Sequence, residues 1–379
     1  GRLRMIPGRY VSKRERAALS AQHAQPHVGS ILEGSDPTSS ASTRSVSERC
    51  LSDDTLAALK KRRMRGKQLP NKLLFNLHGH NKAVNALNWS NSNAHLLASA
   101  GMDQTTCIWN IWDDNDRLVR NFRFHNAAVN DVKWSPDGLT VLSCGYDSSS
   151  RLIDVEKGTQ ARVFKEDQVV RVVKYHPENQ RLFISGGGAG YLRLWDTRTG
   201  DAVREYFRGG GSVLDVDFMN SGKEFVASCD VSGSNISENS IVVWDVTRQV
   251  PLSNQIYVEA YTCPSIRSHP LDENFVAQSN GNYIAIFSSR QPFRLDKLKR
   301  YEGHGVCGFP IKCNFSGDGE VVVSGSSDGG VFFYGARTTQ LLKKIDAYKR
   351  HPCVDVVFHP SIPNLIASCS WAGHVSIFE

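Results

Sequence analysis

The chain has 379 residues, 40% of them apolar and 22% charged, the balance of a globular protein with a sizeable core. No window approaches the roughly 20 consecutive apolar residues that a bilayer crossing needs, so a membrane-spanning helix is excluded. The net charge of +7 is uneven: residues 1–72 hold 15 Lys and Arg against 6 Asp and Glu, and the remaining 307 hold 30 against 32.

That imbalance divides the chain into a basic arm, residues 1–71, and a nearly neutral body, residues 72–379, which does not look like a domain built to coat nucleic acid. The first residue is Gly, as expected of a chain whose native start lies upstream. Arg2, Arg4, Arg9, Lys13 and Arg14 form a first basic cluster. Residues 18–50 are rich in Ser, Thr, Ala and Gln and hold too few large apolar side chains to order themselves, so most of the arm is expected to be disordered. A short helix is expected near 53–63, with Ser52 as cap, Leu51 and Leu56 as a hydrophobic staple, and cations at the end where the helix dipole favours them. The run Lys60, Lys61, Arg62, Arg63, Met64, Arg65, Gly66, Lys67 has the composition of a nuclear-import or nucleic-acid patch, a solvated helix end being the alternative.

From residue 80 onward a pattern recurs: Ser, then Asp four residues on, then a large residue six further. It reads Ser99, Asp103, Trp109; Ser143, Asp147, Ile153; and Ser324, Asp328, Tyr334. Ser185, Ala189, Trp195 and Ser368, Ala372, Phe378 lack only the acid. A further copy from Ser228 to Trp244 holds an insertion at 231–240, and another ends at Phe287 with Gly281 in the acid position. The closing residues 109, 153, 195, 244, 287, 334 and 378 are spaced by 44, 42, 49, 43, 47 and 44. A period of about 40–45 residues with four short strands per unit predicts an all-β, seven-bladed propeller of the WD-repeat type. Ala86-Leu87-Asn88-Trp89, Asp131-Val132-Lys133-Trp134 and Asp355-Val356-Val357-Phe358 alternate as strands do, and Ser135-Pro136-Asp137-Gly138 and Ser316-Gly317-Asp318-Gly319 read as the turns between strands. The last unit ends at Glu379 after its third strand, and residues 72–77 are expected to supply the missing outer strand and remove a sheet edge.

Gly79-His80, His125 and Gly303-His304 precede the first strands of units one, two and six. Buried polar groups must be mutually satisfied, so a chain His80–Ser99–Asp103–Trp109 is expected in unit one, and its counterpart His304–Ser324–Asp328, ending at Tyr334, in unit six. Unit two breaks that chain at Ile153. These histidines read as structural rather than ligating. Nine cysteines, with no C-x-x-C among them, give neither a zinc motif nor a disulfide framework and point to a reducing compartment; Cys144, Cys229 and Cys369 read as small buried hydrophobes.

The Gly-rich stretches at 186–190 and 209–211 are each followed by a strand, not by the helix N-terminus that a phosphate cradle requires. With no catalytic set in a plausible context, neither an enzyme nor a cofactor or small-molecule substrate is expected. A docking surface is expected instead. The residue just before the acid position lies at one rim, and in the neighbouring units seven, one and two it is Trp371, Met102 and Tyr146, an apolar cluster of the kind that anchors partners. Separately, Trp195-Asp196-Thr197-Arg198 fits a W-D-x-R box, which makes Arg198 a candidate contact for the adaptor of a cullin–RING ubiquitin ligase.

Three stretches, Gly79-His80-Asn81-Lys82-Ala83-Val84, Arg290-Gln291-Pro292-Phe293-Arg294-Leu295-Asp296-Lys297-Leu298-Lys299 and Cys369-Ser370-Trp371-Ala372-Gly373, carry a family resemblance. Over about 72–379 the chain resembles the pre-mRNA-processing factor 17 branch of WD-repeat proteins. The second stretch is the most specific, since no propeller requires it between units five and six. The resemblance implies a nuclear protein tied to the spliceosome and to the second step of splicing. It further implies splicing factors as partners, a monomer within a larger complex and RNA contact through the basic arm.

Overall fold

The computed structural model describes residues 69–207, 211–230, 241–253 and 261–379. Among these every regular element is a strand, and the strands form seven antiparallel sheets, the blades of a propeller. Blade one comprises Val84–Trp89, Leu96–Gly101, Thr106–Asn110 and Leu118–Phe122, in sequence order from the axis outward. Blades two, three, five and six repeat this up-and-down order. Blade four shows three strands among the described residues, and Pro251 and Leu252 pair beside its third strand, against Trp244 and Val243.

Blade seven is composite. Leu73–Leu77 lies antiparallel on Val375–Phe378, with Leu77 opposite Val375 and Phe75 opposite Ile377. The amides of Asn71 and Lys72 both donate to the Glu379 carbonyl at 2.7 Å, and the Ser376 hydroxyl donates to Asn76 Oδ1 at 2.7 Å. The two ends of the described body thus share one sheet, and Leu77, Trp109, Val375 and Ile377 share one apolar cluster between blades seven and one.

Burial follows strand position. Leu96–Gly101 is buried at every residue because both of its faces pack against other blades. Leu341–Asp346, an outer strand, alternates from Leu342 onward between exposed and half-buried because one face meets water. The Ser135 and Ser316 turns share one geometry: Gly138 and Gly319 adopt φ of 73° and 72°, and each serine hydroxyl accepts the amide five residues on at 3.0 Å.

Carboxylates on the inner strands tie blade to blade. Asp355 Oδ2 accepts the Leu87 amide of blade one at 3.0 Å, Asp215 Oδ2 accepts that of Ile266 at 2.9 Å, and Asp217 Oδ2 that of Ser268 at 2.8 Å. Partly buried cations pair with these and with Asp131: Lys133 lies 2.6 Å from Asp131, Arg267 2.6 Å from Asp215, and Lys312 between Asp131 and Asp355 at 3.4 and 3.9 Å. Burial opposes the Asp131 charge, but Lys133 and Lys312 outweigh it and hold that carboxyl well below its ordinary range.

Candidate docking face at the channel mouth

The turn between the second and third strands is pinned the same way in every blade. The residue just before the acid position donates its amide to a carbonyl in the loop that leads into the inner strand. The pairs are Met102 to Ala83, Tyr146 to Ala128, Gly188 to Val169, Asp230 to Ser212, Asn280 to Thr262, Ser327 to Gly305 and Trp371 to Pro352, at 2.8–3.0 Å. Backbone geometry therefore sets seven residues around one end of the channel, and sequence decides their chemistry. Blades seven, one and two contribute Trp371, Met102 and Tyr146; blades four, five and six contribute Asp230, Asn280 and Ser327.

Trp371, Met102 and Tyr146 line a single cavity of about 390 Å³, together with Phe309 and Pro310 from the loop before blade six's inner strand. Tyr146 is 46% exposed; Met102 and Trp371 are half-buried. Trp371 rests on the core between blades seven and one, with its ring edge-on to Phe309 at 5.6 Å. The floor carries Asp131, Asp215, Arg171 and Lys312. An apolar arc thus faces a polar one across a charged floor.

Side-chain networks hold these turns. In blade one, His80 Nδ1 lies 3.0 Å from Asp103, Nε2 lies 2.7 Å from Ser99 Oγ, and the Trp109 indole N–H donates to the same Oγ at 2.8 Å. Asp103 also accepts the amides of Asn81 and Thr105, which fixes the turn carrying Met102. Burial, the largest influence, disfavours the His80 cation, yet the hydrogen bond and charge of Asp103 together with the neighbouring Cys107 outweigh it and raise the imidazole to about 9. In blade two His125 contacts Asp147 at 3.0 Å and Ser143 at 2.8 Å, and Ile153 offers no donor.

Blade six departs from expectation. His304 reaches neither Ser324 nor Asp328: Nδ1 lies 2.8 Å from the Tyr334 hydroxyl and Nε2 lies 2.6 Å from the Gln278 amide. Gln278 belongs to blade five, at a position where other blades carry Ala100, Cys144, Gly186, Cys229, Gly325 and Cys369. Its longer side chain crosses between blades and intercepts both His304 and the Ser324 hydroxyl, which donates to Gln278 Oε1 at 3.2 Å. Asp328, left outside, pairs with Lys344 at 2.9 Å. Without a carboxylate beside it, burial pushes His304 down to about 4.

Blade three inverts the charges. Glu166 stands 19 residues before Ser185, the separation of His80 from Ser99, and accepts the Ser185 hydroxyl at 2.6 Å and Arg193 at 3.2 Å; Trp195 donates to Ser185 at 2.9 Å. In blade seven the Tyr348 hydroxyl meets Ser368 at 2.8 Å, 20 residues away. Histidine-based reading missed both, although the spacing alone locates them.

Arg198 is not part of the mouth. It is exposed on the turn after blade three's third strand, so it sits on the opposite face, and its amide donates to Asp196 Oδ1 at 2.7 Å. Lys60, Lys61, Arg62, Arg63, Arg65 and Lys67, the helix near 53–63 and the insertion at 231–240 lie outside the described residues. Cys144, Cys229 and Cys369 are buried free thiols.

The WD domain, G-beta repeat family matches residues 71–110, 116–154 and 295–334. Over 313 residues, 82% of this chain, the sequence is 36% identical to WD repeat-containing protein 25 of Mus musculus, covering 58% of that protein. It is 30% identical to pre-mRNA-processing factor 17 of Homo sapiens across 82% of this chain and 52% of that protein. The Saccharomyces cerevisiae pre-mRNA-processing factor 17 is 27% identical, again over 82% of this chain. The chain therefore spans little more than half the length of the first two relatives.

Proposed function

The chain is a WD-repeat protein homologous to pre-mRNA-processing factor 17 and WD repeat-containing protein 25, and we propose that it is a non-catalytic docking scaffold of the nuclear splicing machinery. The observation that carries this reading is the apolar arc of Trp371, Met102 and Tyr146, held by backbone bonds of three consecutive blades on one mouth. Backbone pinning of the residues that carry these aromatic and thioether side chains lowers the ordering cost of binding, which suits docking rather than turnover. Splicing factors are the proposed partners, with the chain as a monomer inside the particle and the basic arm touching RNA. A role at the second splicing step belongs to the same proposal.

The test is recovery from nuclear extract, with and without ribonuclease, of the tagged chain and of a Met102→Ala, Tyr146→Ala variant. Both positions lie off the core, so an unchanged melting temperature is the control. The wild type is expected to retain spliceosomal RNAs and splicing proteins, and the variant to lose the proteins at least tenfold. Equal recovery by both chains overturns the mouth as the docking face. A second reading is favoured by the exposure of Arg198: the opposite face holds a cullin–RING adaptor, and Arg198→Ala removes that adaptor while the RNAs stay.

A further inference from the structure

Between Ala285 and Phe287 the outer strand of blade five, Leu295–Glu302, slips register: Arg300 pairs with Ala285 and Leu295 with Phe287, so 296–299 bulge outward. The bulge is ordered, because Asp296 Oδ1 accepts the amides of Leu298 at 2.9 Å and Lys299 at 3.2 Å. It holds Leu298 96% exposed. Beside it, between blades five and six, lies a groove of about 580 Å³, floored by Ile286, Leu295, Phe315 and Ala336 and flanked by Arg294 and Lys299.

Acids at this groove are already engaged. Asp272 faces Arg337 at 4.0 Å, Glu273 pairs with Arg290, and Asp296 is taken by the two amides. Arg294, Lys297 and Lys299, by contrast, form no ion pair among the described residues. A single exposed leucine is ordinary, and a charged bulge is how an edge strand avoids pairing with another chain. Edge protection, however, needs only the charges. It does not account for a leucine locked outward by its own turn, beside a groove with an apolar floor and among cations that make no ion pair among the described residues.

We propose that this ridge and groove bind an acidic amphipathic segment of a partner protein, whose apolar side chains cover Leu298 and enter the groove while its carboxylates meet Arg294, Lys297 and Lys299. The surface lies on the outer rim, apart from the channel mouth, and the proposal does not depend on the mouth's role. Phosphate would satisfy the cations but gives Leu298 no part, so RNA is the competing outcome.

The test places a photocrosslinking amino acid at position 297 of the full chain, irradiates it in cell extract with ribonuclease, and sequences the attached peptide. A synthetic peptide of that sequence is then titrated against the wild type and the Leu298→Met, Leu298→Asp and Lys299→Glu variants. The expected peptide is rich in Asp and Glu around apolar residues. Its affinity should fall at least tenfold with Leu298→Asp or Lys299→Glu, fall with salt, and survive Leu298→Met. An adduct to RNA, no specific adduct, a peptide without acidic character, or binding indifferent to Leu298→Asp each overturns the proposal. Leu298 touches no core, so an unchanged melting temperature separates lost binding from lost fold.

Discussion

Blades one and six carry the same letters at nearly the same spacing: Gly-His, then Ser, Asp and an aromatic. Their side chains nonetheless form different networks. In blade one the imidazole sits between a carboxylate and a serine and is held as a cation; in blade six it sits between a phenol and an amide and is held neutral. Two substitutions account for the change. Tyr334 replaces an indole N–H aimed at serine with a hydroxyl that reaches the imidazole directly, and Gln278 enters from the neighbouring blade. The spacing of a repeat sets the backbone, but a neighbour can redirect the polar groups within it.

The sharpest way to break this comparison is to remove the acid from each blade. The Asp103 side chain is 5% exposed and Asp328 is 48% exposed. Asp103→Ala strips the buried imidazole of its carboxylate, so that the ring loses its proton, and takes the acceptor from two turn amides, at a cost of about 1–3 kcal/mol for each buried group left unsatisfied. Asp328→Ala loses a surface pair with Lys344 and one turn amide bond from Gly330, at a cost of about 1 kcal/mol. Urea unfolding of the two variants measures the difference, and equal losses would mean the networks are energetically alike.

This contrast also marks what a sequence discloses. The seven units were legible because one large residue closes each third strand, and the Ser-x-Asp-Gly turns because their chemistry is local, complete within five residues. The arc at the mouth was legible too, since one backbone rule places Trp371, Met102 and Tyr146. What escaped is non-local or chemically substituted. Gln278 acts on Ser324 from 46 residues away, and Lys312 meets Asp131 across 181. Glu166 stands where a histidine was sought, at the right distance but with the opposite charge.

Acid and alkali should separate the two blades next. The imidazole of His80 is raised to about 9, so its contribution is full below the unfolded value of 6.5 and is lost as pH rises through about 9. His304 is lowered to about 4: below 6.5 the unfolded chain takes up a proton that the folded blade refuses, so stability falls as pH drops from 6.5 towards 4. Each group changes stability by at most about 1.4 kcal/mol per pH unit. Melting temperature followed across pH should lose part of its alkaline limb in His80→Gln and part of its acid limb in His304→Gln. Should either variant keep both limbs of the wild type, the opposed charge states assigned to the two blades fail.

The smallest expected effect probes the aromatic itself. Blade two shows that an imidazole held by an aspartate needs no polar partner on the third strand: His125 keeps Asp147 and Ser143 although Ile153 offers nothing. His304 has no such carboxylate, so the Tyr334 hydroxyl is one of only two groups satisfying its ring among the described residues. Tyr334→Phe keeps the ring and its packing but leaves a buried N–H without an acceptor, at a cost of roughly 1–2 kcal/mol in urea unfolding. A loss below about 0.5 kcal/mol would place the hydroxyl among ordinary surface groups, for which substitutions stay within that range. Blade six would then owe its neutral histidine to burial and Gln278 alone, and the exchange of tryptophan for tyrosine would cease to explain why the two blades differ.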